Sequence, residues 1–99
     1  MLNIKKTIED GKAEFVLEGR LDTITSPDLE KELKESLDEV KALVLDFENL
    51  EYISSAGLRV LLSAQKVMNK QGEMKVININ DTIREIFEVT GFADILDIE

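Results

Sequence analysis

Hydrophobic and polar residues alternate along the first part of the chain in two series, separated by Asp10-Gly11. A period of two is typical of a strand with one buried face, and Asp-Gly is typical of a tight turn between strands. The N-terminus is therefore predicted to form a β-hairpin. Its alternating apolar positions are Leu2, Ile4 and Ile8 before the turn and Ala13, Phe15 and Leu17 after it.

After Ser26-Pro27-Asp28, the spacing of the apolar residues changes to that of an amphipathic helix. A capping hydroxyl, a proline at the first helical position and an acid in the first turn together indicate a helix start. The predicted buried stripe of this first helix consists of Leu29, Leu33, Leu37 and Val40.

Two further helices are predicted later in the chain. One begins at Ser54 or Ser55 and runs to about Gln71, with Gly72 as a left-handed cap. The other begins after a cap at Asn80 or Asp81 and stops at Gly91. The residues expected to be buried are Leu58, Leu61, Leu62, Ala64 and Met68 in the first of these, and Ile83, Ile86 and Phe87 in the second.

Short apolar runs between these helices predict further strands. The run from Ala42 to Phe47 is apolar on both faces, which favours a central strand covered on both sides and ending in the acids Asp46, Glu48 and Glu51. Another strand is expected from Met74 to Ile79, and a last short one around Ile95, Leu96 and Ile98.

The resulting element order is β-β-α-β-α-β-α-β, which indicates an α/β fold. Strands that alternate with helices pair mostly in parallel through right-handed crossovers, and the first strand joins as an antiparallel hairpin partner. We expect one domain over residues 1–99, with a mixed, mostly parallel sheet of about five strands packed with helices.

Composition narrows the range of functions. The formal net charge of -9 repels phosphate backbones and anionic membranes, so we expect no direct contact with nucleic acid. The chain has no Cys and no His, which argues against thiolate, general-base and most metal chemistry, and we expect neither a cofactor nor an enzyme. No apolar run is long enough to span a bilayer, so we expect a cytoplasmic protein without membrane insertion.

One segment carries candidate chemistry: an acidic loop leads from the central strand to Ser54 and Ser55 at a helix start. A phosphate on a serine there meets free backbone N–H groups and the positive end of the helix dipole. The alternative is that both serines merely cap the helix. A divalent cation held by Asp22, Asp46, Glu48 and Glu51 is a further alternative, but their spacing is not that of a calcium loop.

The same segment resembles the signature of bacterial STAS domains, in which an aspartate and a phosphoacceptor serine precede a small residue and Gly-Leu. The matching residues are Ser54, Ser55, Ala56, Gly57 and Leu58, so that Ser55 aligns with the acceptor and Ser54 replaces the aspartate. Gly19-Arg20-Leu21-Asp22 is similar to the family's Gly-x-Leu-Asp turn, and the resemblance extends over essentially the whole chain.

The resemblance implies an anti-sigma factor antagonist. Such a protein binds an anti-sigma factor that is also a serine kinase and thereby frees a sigma factor, until phosphorylation of Ser55 turns binding off and a phosphatase restores it. The charge added beside Asp22, Glu48 and Glu51 is expected to add repulsion. The implied partner-binding residues are Asp22, Ser54, Ser55, Ala56, Gly57, Leu58 and Arg59.

A second function is compatible with the same fold. A non-catalytic STAS subunit can also act as a scaffold in a larger assembly, such as a lipid-transport ATPase complex or a stress-sensing complex. The residues of this chain do not separate the scaffold from the antagonist.

Overall fold

The structure, a computed structural model, describes residues 2–99 as one five-stranded sheet packed with three α-helices. The strands are β1 (Leu2–Glu9), β2 (Lys12–Leu21), β3 (Ala42–Ile53), β4 (Glu73–Ile77) and β5 (Asp97–Ile98). The helices are α1 (Ser26–Ser36), α2 (Ser55–Gln71) and α3 (Asp81–Thr90), and a 3-10 turn covers Phe92–Asp94. The predicted element order and the α/β class are confirmed.

The strands lie in the sheet in the order in which they occur along the chain. β1 is antiparallel to β2, and every other neighbouring pair is parallel, as predicted. Each of the three β-α-β connections steps to the next strand in the same direction. Because such crossovers are right-handed, successive steps in one direction place all their helices on the same face of the sheet. The buried apolar residues accordingly form one cluster between that face and the helices.

Among residues 2–99, no helix covers the opposite face of the sheet. Along β3, Leu43 and Leu45 are at most 1% exposed, whereas Val44 between them is only half-buried. Val44 lies in register with Glu14 of β2 and Lys75 of β4. The prediction that this strand is covered on both sides is therefore wrong. The face of β3 that carries Val44 lies beside charged residues of the neighbouring strands.

β3 is also twice as long as predicted, because it continues beyond Phe47 through the acidic residues to Ile53. Its register with β2 shifts twice. Val16 to Glu18 pairs with Asp46 to Asn49, and Gly19 to Arg20 pairs with Leu50 to Tyr52. Each shift adds one residue to β3 relative to β2, as in a β-bulge. The predicted acidic loop is thus part of a bulged strand.

α1 starts and ends differently from the prediction. Thr25 occupies the position before the helix without making a side-chain cap bond, and the hydroxyl of Ser26 donates to the carbonyl oxygen of Asp22. Ser26 is therefore not the cap. The helix ends at Ser36. Val40 is buried, at 2% exposed, as predicted, but it lies beyond the end of the helix.

The end of α2 is confirmed at Gln71, but Gly72 is not the left-handed cap that was predicted. Its φ of 177° is ordinary extended backbone. A side chain is excluded there for a different reason, since a Cβ on Gly72 lies 1.8 Å from the carbonyl oxygen of Lys41. Leu62, predicted to be buried in α2, is half-buried.

α3 has the ends that the sequence predicts. The side chain of Asn80 accepts a hydrogen bond from the Ile83 N–H at 2.8 Å, and Gly91 caps the C-terminus in the left-handed region with φ 82°. β4, however, ends at Ile77 rather than Ile79, and the last strand contains only Asp97–Ile98. Within residues 2–99, no helix is both long and apolar enough to cross a membrane.

Candidate functional site

The candidate site lies where β2 and β3 end and α2 begins. The N–H of Ser54 donates a hydrogen bond of 2.9 Å to the carbonyl oxygen of Leu21. Since the two strands are parallel, their carboxyl ends meet at one edge of the sheet, which is where sites form in folds of this class. The turn after β2 and the first residues of α2 are therefore neighbours, although they are about thirty positions apart in the sequence.

Asp22 organises the turn after β2. One carboxylate oxygen, Oδ1, accepts hydrogen bonds from the N–H groups of Ile24 and Thr25, both at 3.0 Å, and lies 3.2 Å from the Thr25 hydroxyl. The bond from the Thr25 N–H is the main cause that lowers the pKa of Asp22 below its usual value, and the bonds from Ile24 and the Thr25 hydroxyl add to it. The charged carboxylate thus holds the loop in place.

Among the described residues, no side chain caps the first turn of α2. Ser54 has the extended backbone of an N-cap residue, and its carbonyl accepts the first helical bond, from Leu58 N–H at 3.0 Å. Its hydroxyl, however, is buried without a hydrogen-bond partner among the described residues. The prediction that Ser54 caps the helix is therefore wrong for its side chain.

The uncapped start leaves three backbone donors available. Within residues 2–99, the N–H groups of Ser55, Ala56 and Gly57 have no acceptor, as is usual at the first turn of a helix without a cap. Ser55 is exposed at the first position of α2, and Ala56 is half-buried. The side chain of Ser55 therefore lies at the positive end of a 17-residue helix, close to these free donors, a position that favours an anionic group.

Gly57 sets how closely α2 approaches the sheet. A Cβ at this position lies 2.7 Å from Cγ1 of Ile53 and 2.9 Å from Cγ of Leu21. These two residues are register partners at the ends of β3 and β2, so Gly57 lets the first turn of α2 sit directly over both strand ends.

The predicted partner-binding residues divide by exposure. Ser55 and Arg59 are exposed on the first turn of α2, while Asp22 and Ser54 are half-buried. Leu58 is only 6% exposed and belongs to the core. The surface of this edge therefore presents the side chains of Ser55 and Arg59, whereas Leu58 anchors the helix beneath them.

Three residues at this edge were not predicted. Ile24, in the turn held by Asp22, is 85% exposed. Arg20 stacks over the ring of Tyr52, with Cζ 4.7 Å from the ring centroid, on the open face of the sheet. Ile24 had a detectable signal, because it is an isolated aliphatic residue inside a polar turn. The Arg20–Tyr52 pair depends on the bulged register and has no such signal.

The acidic residues of β3 do not gather around Ser55. Strand residues rise about 3.3 Å each, so the backbone of Glu51 is set back about 10 Å from Ser54 and that of Glu48 about 20 Å. Asp46 accepts a hydrogen bond from the Asn78 side chain at 3.1 Å. Among residues 2–99, no group of three or more acidic side chains is arranged to hold a metal ion.

The architecture and the site define a class of protein: a mixed five-stranded sheet with all helices on one face and an exposed serine at the start of the second helix. The chain belongs to the STAS family, whose model, described as STAS domain, matches residues 3–99. The resemblance inferred from the sequence is thereby confirmed.

Two curated relatives and one solved structure illustrate the similarity. A Bordetella bronchiseptica protein, BtrV, is 38% identical over 91 residues, covering 90% of this chain and 78% of its own. The anti-sigma-B factor antagonist of Staphylococcus aureus is 31% identical over 99 residues, covering 98% and 92%. The crystal structure of an anti-sigma factor antagonist from Mycobacterium paratuberculosis superposes with a TM-score of 0.89 at 23% identity, covering 99% of this chain and 85% of that one.

Proposed function

We propose that this chain is an anti-sigma factor antagonist that is switched off by phosphorylation of Ser55. In its unmodified form it binds an anti-sigma factor that is also a serine kinase, and a sigma factor is released. The observation that carries the proposal is the exposed Ser55 at the start of α2, next to three backbone N–H groups that have no acceptor in the described part of the chain. The name of the S. aureus relative supports the antagonist role.

The partner surface in this proposal is the edge formed by the Asp22 turn and the first turn of α2. The exposed side chains of Ser55 and Arg59 lie on the helix, and Ile24 provides an apolar contact on the neighbouring turn. Asp22 contributes by holding that turn, since its Oδ1 already accepts bonds from two backbone N–H groups.

In the switching step, the bond between the γ-phosphorus of ATP and its bridging oxygen breaks, and a bond to Oγ of Ser55 forms. The hydroxyl proton passes to a base of the kinase, ADP leaves, and the chain acquires a charge of about -1.5 to -2 at this position. The free N–H groups of α2 and its dipole accommodate this charge within the antagonist. Binding is lost because the docking surface of this chain now carries a bulky anion, which the surface of the anti-sigma factor does not complement.

All catalytic groups belong to partner proteins in this scheme. The kinase binds ATP and magnesium, and a separate phosphatase hydrolyses the phosphoserine and restores binding. This chain contributes a hydroxyl and a docking surface.

The proposal is tested by incubating the protein with its cognate anti-sigma factor, ATP and magnesium, and locating phosphate by peptide mass spectrometry. One phosphate is expected, on Ser55. Ser55→Ala should accept none yet still bind the anti-sigma factor, while Ser54→Ala and Ser63→Ala should be phosphorylated on Ser55 like the wild type. Phosphate on another residue, or no transfer from a partner that binds tightly, would refute the switch.

A further inference from the structure

A groove with a volume of about 460 Å³ runs between α1 and α2, away from the start of α2. Its floor is apolar and formed by core residues that are at most 6% exposed, namely Leu33, Leu37, Val60 and Ala64. On the α2 side, Val67 is 41% exposed and adds an apolar edge. The groove is only partly enclosed, so it suits a ligand that lies on the surface better than an enclosed small molecule.

One end of the groove is fixed by Gln71. Its side-chain amide donates hydrogen bonds to the carbonyl oxygens of Leu37 and Val40, at 2.7 and 2.6 Å. These bonds join the last turn of α2 to the chain after α1. The separation of the two helices is therefore held by the fold itself, and the groove exists before any ligand binds.

The rim on the α1 side is acidic. It carries the carboxylates of Glu30, Glu35 and Asp38 and one ammonium group, that of Lys34. Lys34 lies 3.9 Å from Glu30. Within residues 2–99, no lysine or arginine nitrogen is within 4.0 Å of the carboxylates of Glu35 or Asp38. An apolar floor beside two carboxylates without ion-pair partners matches a ligand with one apolar face and adjacent positive charges.

We infer that this groove binds a basic amphipathic helix of a partner protein. An amphipathic helix lays its apolar face into a groove through anchors at positions i, i+3 or i+4, and i+7, and here its flanking Lys or Arg side chains pair with Glu35 and Asp38. The 11-residue α1 is about 16 Å long, which matches about three turns of such a ligand. A second copy of this chain is disfavoured as the occupant, because each copy carries a net charge of -9.

The inference does not depend on the proposed function. The groove starts at Val60, beyond the first turn of α2, and none of its lining residues belongs to the Asp22 turn or to the first turn of α2. Failure of one assignment leaves the other unaffected.

The test uses two synthetic 14-residue peptides with the same leucines at i, i+3, i+7 and i+10, one with lysine and one with glutamate at the flanking positions. Binding is measured by fluorescence anisotropy at about 0.15 M salt, where attraction between exposed charges is screened beyond about 8 Å. The contact is mapped by NMR on the ¹⁵N-labelled protein. The lysine peptide should bind and shift the amide signals of Leu33, Ala64 and Val67, and the glutamate peptide should not bind.

Two variants distinguish groove binding from attraction by overall charge. Val67→Lys should weaken the affinity for the lysine peptide at least about tenfold. Val89→Lys makes the same change at an exposed residue of α3 and should change the affinity less than about twofold. The double variant Glu35→Gln/Asp38→Asn should likewise weaken binding, and Glu85→Gln/Glu88→Gln on α3 should not. Equal losses in the groove and control variants, tight binding of the glutamate peptide, or a dimer that Val67→Lys dissociates would overturn the inference.

Discussion

The hydrogen bond of 2.9 Å from the N–H of Ser54 to the carbonyl oxygen of Leu21 joins the end of β2 to the start of α2. It places the turn held by Asp22 beside the helix start that carries Ser55. Two segments that are distant in the sequence thereby form one surface.

The uncapped hydroxyl of Ser54 predicts an unusual mutational effect. Replacing a serine at an N-cap position with alanine normally costs about 0.5 to 2 kcal/mol. The Ser54 hydroxyl is buried and has no hydrogen-bond partner within residues 2–99, so its removal loses no hydrogen bond and also removes a buried unsatisfied group. We expect Ser54→Ala to leave the free energy of unfolding within about 0.5 kcal/mol of the wild type, or to raise it.

Asn80 provides the matched control, because its side chain does cap α3 and also donates to the carbonyl oxygen of Leu50 at 2.9 Å. Asn80→Ala should lower the free energy of unfolding by about 1 to 2 kcal/mol, as measured by urea denaturation. A comparable loss in Ser54→Ala would show that Ser54 is a working cap and would contradict the geometry described here.

A substitution at Gly57 tests how closely α2 approaches the sheet. In an exposed helix, glycine to alanine stabilises by about 1 kcal/mol. At position 57 the new methyl group lies 2.7 Å from a side-chain carbon of Ile53, so we expect Gly57→Ala to destabilise by about 1 to 3 kcal/mol. Gly91→Asn is the control, because within residues 2–99 a Cβ there has no non-neighbouring residue within 4 Å, and asparagine tolerates the left-handed backbone. A stabilised Gly57→Ala protein would rule out the tight contact.

The turn at Asp22 predicts a pH dependence of stability. The pKa of Asp22 is lower in the folded protein than its usual value of 3.8, so the unfolded chain binds the proton more readily. The stabilisation is therefore fully present above pH 3.8 and is lost as the pH falls through the lowered, folded-state pKa. Urea denaturation of the wild type and Asp22→Asn should show a stability gap at neutral pH that closes in acid. A gap that is independent of pH, or that widens in acid, would contradict this role.

The order of elements was predictable because most of them keep a regular period. Ala13, Phe15 and Leu17 recur with a period of two, and the caps at Asn80 and Gly91 are encoded locally. The second half of β3 was not predictable, since its buried residues Phe47, Leu50 and Ile53 follow one another at a spacing of three. The two register shifts against β2 produce that spacing, and they depend on pairing between strands rather than on either strand alone.

The candidate site was predictable only where local sequence determines it. Ser55 follows from the motif and from its position at a helix start. The unpaired hydroxyl of Ser54 and the exposure of Ile24 depend on how the Asp22 turn packs against α2, which local sequence does not determine. Within residues 2–99, the second face of β3 has no helix because three successive crossovers run in the same direction, which the apolar run of β3 alone does not reveal.

The proposed switch requires that a phosphate on Ser55 weakens binding to the anti-sigma factor. The most direct measurement is isothermal titration calorimetry of the cognate anti-sigma factor with unmodified protein and with protein that carries phosphoserine at position 55. We predict that phosphorylation weakens the affinity at least about tenfold, equivalent to about 1.4 kcal/mol of binding free energy, and that a phosphatase restores it. Equal affinity of the two forms, with Ser55 fully phosphorylated, would contradict the account.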